Sequence, residues 1–331
     1  MFEGVVSIFS NATPYMGLVK VYFGNRVLRK KRPVIFAHMV TFRCNMRCHY
    51  CMYWKKSGEE VSLGEVVKML KEASEEGLAI YTATGGEPLL RNDIEQIVSA
   101  ARDYGFYTTL VTNGLLLKRR GLSGLDLLTV SLDTLDREKF ARITGVNALN
   151  EVVDAIKWAS ERFRMNVNVV VHEENANEIF RLVEFADSLG IGITFEPVSS
   201  YFAGCASISP KTLRRTFAEI LRLKRDYRCI WNTEGYLRLV METQNFPCLP
   251  YFLLRVNPDG TVIAPCYEVD HVAVGNLTSQ TLKSVVSSDA FIKSCEVGEC
   301  GKCYLLCYVE PSMVFSSLRW AVKSIYGILK A

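Results

Sequence analysis

The sequence is poor in several features that would fix its class at once. Its 331 residues contain no stretch of about 18 apolar positions, so no membrane-spanning helix is expected. Met1, Phe2 and Glu3 place no positive charge ahead of an apolar segment, so no export leader is expected and the cytoplasm is the expected compartment. There is no internal repeat and no low-complexity tract. Disulfides are equally unexpected: the 11 cysteines are odd in number and, without export, stand as thiols. Apolar content is not among the shortages. With 49% hydrophobic and 22% charged residues the chain can bury a sizeable core, and its length suggests one large domain and a smaller one. So many cysteines in a reducing compartment argue for metal.

The net charge of +4 conceals a division. Residues 1–32 carry six bases (Lys20, Arg26, Arg29, Lys30, Lys31, Arg32) and one acid, Glu3. Residues 311–331 carry Arg319, Lys323 and Lys330 and no acid. What remains holds 30 bases and 34 acids, a mildly acidic body between basic ends. A nucleic-acid partner is not expected, because its basic residues should line a face of the folded body.

From residue 33 to about 197 short apolar runs alternate with amphipathic ones. Strands are expected at 34–41, 78–84, 106–112, 127–132, 165–171 and 191–196, rich in the β-branched and aromatic residues of strands buried on both faces. Ser62 and Glu65 form a capping-box pattern ahead of Val66, Val67, Met69 and Leu70, with Gly77 as the stop. Asn92 with Glu95 and Asn175 with Glu178 are expected to open two more helices, closed by Gly105 and Gly190. Alternation of this kind implies a parallel sheet with right-handed crossovers. Periodicity alone does not decide whether the sheet closes. Residues 198–247 read as a connection with a helix from Pro210 to about Tyr227. A turn at Asn257-Pro-Asp-Gly260 then separates two strand-like runs.

Directly after the first strand comes Cys44-Asn-Met-Arg-Cys48-His-Tyr-Cys51. Three thiolates within eight residues can wrap one soft metal centre. A structural zinc needs four ligands and the local count stops at three, unless His49 or a distant residue joins. A four-iron cluster held by three cysteines instead keeps one iron open. The second strand ends at Gly85-Gly86-Glu87-Pro88, where glycines let backbone approach a ligand and Glu87 can pair with an ammonium. The third ends at Asn113 and the fourth at Ser131-Leu-Asp133. All of these lie at the carboxyl edge of the sheet, where α/β proteins bind ligands.

With these motifs in order, the stretch 34–197 resembles the radical S-adenosylmethionine (radical SAM) enzymes: the Cys-x3-Cys-x-aromatic-Cys loop (Cys44, Cys48, Tyr50, Cys51), Gly-Gly-Glu-Pro, and Ser-x-Asp. The resemblance implies a partial (β/α)6 TIM-like barrel and a [4Fe–4S] cluster on Cys44, Cys48 and Cys51 whose open iron binds SAM. It also implies SAM contacts at Tyr50, Gly85, Gly86, Glu87, Asn113, Ser131, Asp133 and Arg142. The chemistry implied is reductive cleavage of SAM to a 5′-deoxyadenosyl radical that takes hydrogen from an unactivated carbon. An anaerobic setting and a low-potential donor such as a ferredoxin or flavodoxin go with it.

Six cysteines fall at 248–310: Cys248, Cys266, Cys295, Cys300, Cys303 and Cys307. They resemble the SPASM or shortened Twitch extension of some radical SAM enzymes. The expectation is a small Cys-rich C-terminal domain with one auxiliary [4Fe–4S] cluster on Cys248, Cys266, Cys300 and Cys303, with Cys307 competing. A structural zinc in the same knot is the alternative. Cys205 and Cys229 read as buried thiols. The divisions expected are 1–33, a basic amphipathic segment; 34–200, the barrel; 201–247, a helical connection; 248–310, the auxiliary-cluster domain; and 311–331, an amphipathic helix.

Residues 312–330 place Val314, Leu318, Val322, Ile325 and Leu329 on one helical stripe and bases on the other side, a pattern that suits a membrane surface. Residues 16–28 are apolar and lead into the bases at 29–32. The run Cys300 to Pro311 resembles the C-terminal signature of hopanoid-type radical SAM proteins. Together these give the leading expectation, an enzyme peripheral on the cytoplasmic membrane face that modifies a lipid or isoprenoid chain. A peptide or protein maturase is the second reading, and a zinc-stabilised binding protein without catalysis the third.

Overall fold

The computed structural model describes residues 31–199, 206–266, 272–296, 299–301 and 303–316. Residues 1–30 of the expected basic segment 1–33, Cys205 and the expected helix beyond residue 316 lie outside them.

Six parallel strands and their crossover helices follow one another along the chain: β1 (Ile35–Thr41), α1 (Leu63–Glu75), β2 (Ile80–Gly85), α2 (Ile94–Asp103), β3 (Tyr107–Thr112), β4 (Leu127–Ser131), α3 (Arg137–Thr144), α4 (Leu149–Ser160), β5 (Met165–Val171), α5 (Ile179–Ser188) and β6 (Gly192–Pro197). Then come α6 (Pro210–Leu223), α7 (Glu234–Met241), β7 (Phe246–Pro247), β8 (Leu253–Val256), β9 (Thr261–Ile263) and β10 (Ala273–Asn276). Short α8 (Leu282–Val286), α9 (Asp289–Ser294), β11 (Glu299–Cys300) and α10 (Leu306–Ser316) complete the described chain.

The sheet runs β10-β9-β8-β1-β2-β3-β4-β5-β6. Its ends, β10 and β6, are not neighbours, so the six-strand parallel part forms an open, partial barrel of the TIM type. Each strand alternates: Phe36, His38 and Val40 face the helices, as do Tyr81 and Ala83, Leu128 and Val130, and Val167 and Val169, all at or near zero exposure. The helices answer with stripes such as Val66, Met69, Leu70 and Ala73 on α1 and Ile179, Leu182, Val183 and Ala186 on α5. Burial of each such large side chain contributes about 1.5–3 kcal/mol. The opposite face of the sheet is polar. Thr109 donates to Thr82 Oγ1, Thr129 to Asn166 Oδ1, Asn166 to Thr194 Oγ1, Thr194 to Asn168 Oδ1 and Asn168 to Glu196 Oε1.

The strands lie within two residues of their expected positions, and Ser62 and Glu65 form both halves of a capping box. Two expected helix starts differ. α2 begins after Asp93, whose neighbour Arg91 uses the carboxylate in an ion pair of 2.7 Å, so Asn92 is not the cap. Asn175 does not cap α5 either. Its Oδ1 accepts from His172 N and its Nδ2 donates to Asp133 O and Val170 O, bridging the ends of β4 and β5. The α6 helix stops at Leu223, short of Tyr227.

The Asn257–Gly260 turn is a hairpin between β8 and β9, as expected. Its first strand pairs in parallel with β1, so the Cys-rich region extends the barrel sheet as well as adding a two-stranded β7–β11 sheet of its own. α10 starts six residues before the expected 312, and Ser312 and Met313 are buried, with Ser312 Oγ accepting from Leu249 N. No helix among the described residues is long and apolar enough to cross a membrane.

Candidate functional site

The loop that follows β1 carries Cys44, Cys48 and Cys51, and it is held from several sides. Arg47 N donates to Thr144 O at 2.7 Å and His49 N to Ile143 O at 2.9 Å, fastening the loop to the end of α3. Trp54 Nε1 donates to Cys48 O at 3.2 Å. Arg43 grips Glu60 through Nε and Nη2, and Thr41 Oγ1 donates to the same carboxylate. All three cysteines are partly exposed thiols. Burial raises each thiol's pKa; for Cys48 the nearby Asp133, Cys51 and Cys44 add to it. Backbone N–H groups act the other way, from Met46 on Cys44 and from Tyr53 and Trp54 on Cys51. Three neighbouring thiols can lose their protons together only onto a cationic centre.

The end of β2 packs directly under this loop. Gly86 N donates to Thr41 O and Glu87 N to Arg43 O, both at 2.8 Å. A Cβ on Gly86 would stand 2.2 Å from Arg43 O, and Gly85 has φ +125°, so both positions require glycine. Glu87 is fully buried, and its carboxylate accepts from Leu89 N, Thr112 Oγ1 and Asn113 N. Burial raises its pKa, and those three donors oppose the shift. The side chain thus organises the end of β3 rather than opening towards a ligand. Asn113 Nδ2 donates to Asn45 Oδ1 at 2.7 Å, so it too faces the cysteine loop.

At the end of β4 stands half-buried Ser131, and beyond it Asp133 is buried. Asp133 Oδ1 accepts from Val170 N at 2.8 Å and Oδ2 from Tyr50 Oη at 2.5 Å. Burial pushes the Asp133 carboxyl up to about 6, although both hydrogen bonds favour the charged form. Arg142 sits on α3 with its Nε 3.6 Å from Glu174 Oε2. Residues not expected as SAM contacts do much of the holding: Asn45, Glu60, Thr112 and Asn175. Asn175 gave a signal, an Asx residue just past a strand, which reads equally as a helix cap.

In the Cys-rich region the Cys248 thiol is pushed well up by burial and then by Cys303, Cys300 and Cys266, which lie within electrostatic reach. These are the four cysteines expected to share a cluster. Cys307, in the first turn of α10, is solvent-accessible, and its charged neighbours are Glu196, Cys303 and Arg255. Cys295 is buried, donates to Phe291 O at 3.1 Å and has its pKa pushed up to about 12 by burial. Cys229 is part-buried against Val183 O.

Among the described residues the only three ligand groups with atoms all within 4.8 Å of one another are His49, His172 and Glu174. Three or four cysteine thiols form the donor set of an iron–sulfur cluster. His49 gathers with His172 and Glu174, away from the zinc role open to it beside Cys44. Ala37, Met39, Tyr53, Thr84, Gly85, Leu253 and Arg255 line a cavity of about 60 Å³.

Comparison with known proteins agrees with this arrangement. Residues 39–186 match the model of the radical SAM superfamily, and residues 201–326 match a domain of unknown function, DUF3463. A probable GTP 3′,8-cyclase of Archaeoglobus fulgidus is 32% identical over 248 residues, 69% of this chain and 83% of that protein. One from Saccharolobus islandicus is 34% identical over 161 residues, and there the match spans only 52% of the relative. Among solved structures, Streptococcus suis SuiB bound to S-adenosylmethionine superposes with a TM-score of 0.67 at 17% identity, covering 80% of this chain and 68% of that one. The peptide- and AdoMet-bound anSMEcpe gives 0.61 at 19%, covering 80% and 82%. At such identities these two establish the fold. The family uses a [4Fe–4S] cluster and SAM, and a barrel whose first strand feeds a three-cysteine loop over a Gly-Gly turn is a barrel of that kind: the chain belongs to the radical SAM superfamily.

Proposed function

We propose that Cys44, Cys48 and Cys51 hold the radical-generating cluster and that Cys248, Cys266, Cys300 and Cys303 hold an auxiliary one. The observation that supports the first assignment is the close packing of the cysteine loop on the Gly85-Gly86 turn. When bound, the reduced cluster and SAM supply a 5′-deoxyadenosyl radical able to take hydrogen from an unactivated carbon. The backbone at Gly85 and Gly86 meets the SAM amino group, with Ser131 and Arg142 at its ribose or carboxylate. Glu87, Asn113, Asp133 and Tyr50 keep that cradle in shape and shield it from water.

The substrate is a lipid or isoprenoid chain. Support comes from the apolar, basic ends of the sequence, from the likeness of residues 300–311 to hopanoid-type proteins, and from the apolar wall of Ala37, Met39 and Leu253 beside Gly85. A saturated chain offers no group for acid–base attack, so radical chemistry suits it. A nucleotide is the second reading, favoured by the Archaeoglobus fulgidus relative's name and by the buried cation Arg255 in the same wall. Anaerobic incubation of the reduced enzyme with SAM and either an isoprenoid lipid or GTP separates them. Lipid-dependent release of 5′-deoxyadenosine supports the lipid reading, and release with GTP alone replaces it. Sedimentation with anionic vesicles, with and without residues 312–331, tests the membrane association.

A further inference from the structure

Two imidazoles and a carboxylate meet beside the cysteine loop. His49 follows Cys48, His172 directly follows β5, and Glu174 lies two residues further on. One ligand atom from each falls within 4.8 Å of the other two. His49 Nδ1 stands 3.8 Å from Glu174 Oε1, and the imidazole centroids are 5.5 Å apart. His172 is only 1% exposed. The Nε2 atoms of both histidines are buried without a hydrogen-bond partner among the described residues. A buried polar atom left in that state costs about 1–3 kcal/mol; a ligand on His172 Nε2 removes that cost there, while His49 faces Glu174 through Nδ1.

The frame around the three is rigid. His49 N is tied to Ile143 O, and His172 N to Asn175 Oδ1, which is itself braced between β4 and β5. Arg142 attends Glu174 Oε2, leaving Oε1 towards His49.

We propose that His49, His172 and Glu174 bind one divalent transition-metal ion of the zinc class, joining the cysteine loop to the β5–α5 turn. Two imidazole nitrogens and one carboxylate oxygen are a three-ligand set for such an ion, with a fourth position left to water. Bonds of about 2.0–2.1 Å need the three groups, now within 4.8 Å of one another, to close further, and the exposed Glu174 is free to move in. The site contains no cysteine, so its zinc is counted separately from cluster iron even though His49 lies between Cys48 and Cys51.

The test uses the cluster-loaded protein, dialysed anaerobically against zinc and then against zinc-free buffer. Elemental analysis should find one zinc more per chain than in His172→Ala or Glu174→Ala, with iron unchanged in all three. Zinc K-edge absorption should show nitrogen and oxygen neighbours at about 2.0 Å. No retained zinc, sulfur neighbours at about 2.3 Å, or full zinc content in Glu174→Ala would each overturn the proposal. Glu174 is exposed, so its variant decides the matter should His172→Ala fail to fold.

Discussion

Tyr50 Oη donates a 2.5 Å hydrogen bond to Asp133 Oδ2, while the other oxygen of that carboxylate accepts from Val170 N. One buried side chain at the end of β4 thereby fastens the cysteine loop to β5. Replacing Tyr50 by Phe or Asp133 by Asn should cost about 1–3 kcal/mol, the range for stranding a buried polar partner. Both variants should also bind SAM more weakly than the parent. Chemical denaturation and equilibrium dialysis check the two effects, and a double-mutant cycle should show strong coupling between the residues.

Gly86→Ala should be among the most damaging single substitutions. The new methyl group meets backbone, not a yielding side chain, at 2.2 Å from Arg43 O. A loss of about 2–4 kcal/mol is expected, with SAM binding abolished even where the protein still folds. Thermal denaturation and SAM titration read both.

Cys48→Ala should remove the first cluster and end 5′-deoxyadenosine production. The two cysteine groups should lose iron separately. Cys303→Ala should cut the iron of the reconstituted protein from about eight to about four per chain, whereas Cys307→Ala should leave it unchanged. Iron and sulfide analysis after anaerobic reconstitution measures this, and equal losses in both variants would make Cys307 a ligand.

His38 gives a pH prediction away from the clusters. Burial, with Arg91 adding to it, pushes its imidazole from 6.5 down to about 3. The unfolded chain therefore takes up the proton first as pH falls, and stability declines between pH 6.5 and 3. The slope is up to about 1.4 kcal/mol per pH unit. His38→Leu should flatten that part of the profile at the cost of the 3.0 Å bond to Tyr81 Oη. Urea denaturation across the window tests it.

Much of the barrel was legible locally. Strand periodicity, the Ser62–Glu65 capping box and the stops at Gly77, Gly105 and Gly190 are short-range features, and the chain folds as they direct. The cysteine loop and the Gly-Gly turn were legible for the same reason, because spacing within one loop limits what its thiols can bind. Asn175 was misread since an Asx side chain can cap a helix or bridge two strands, and only the neighbours choose.

Sequence by itself determined the alternation of strands and helices, the two cysteine groups and the family they resemble. Tertiary structure decided which polar groups face one another. It turned Glu87 inward onto Thr112 and Asn113, paired β8 with the free edge of β1, and brought His172 and Glu174 to His49 across 123 and 125 residues of chain. These are long-range choices, set by strand order and by the need to satisfy buried donors and acceptors, and no local pattern encodes them.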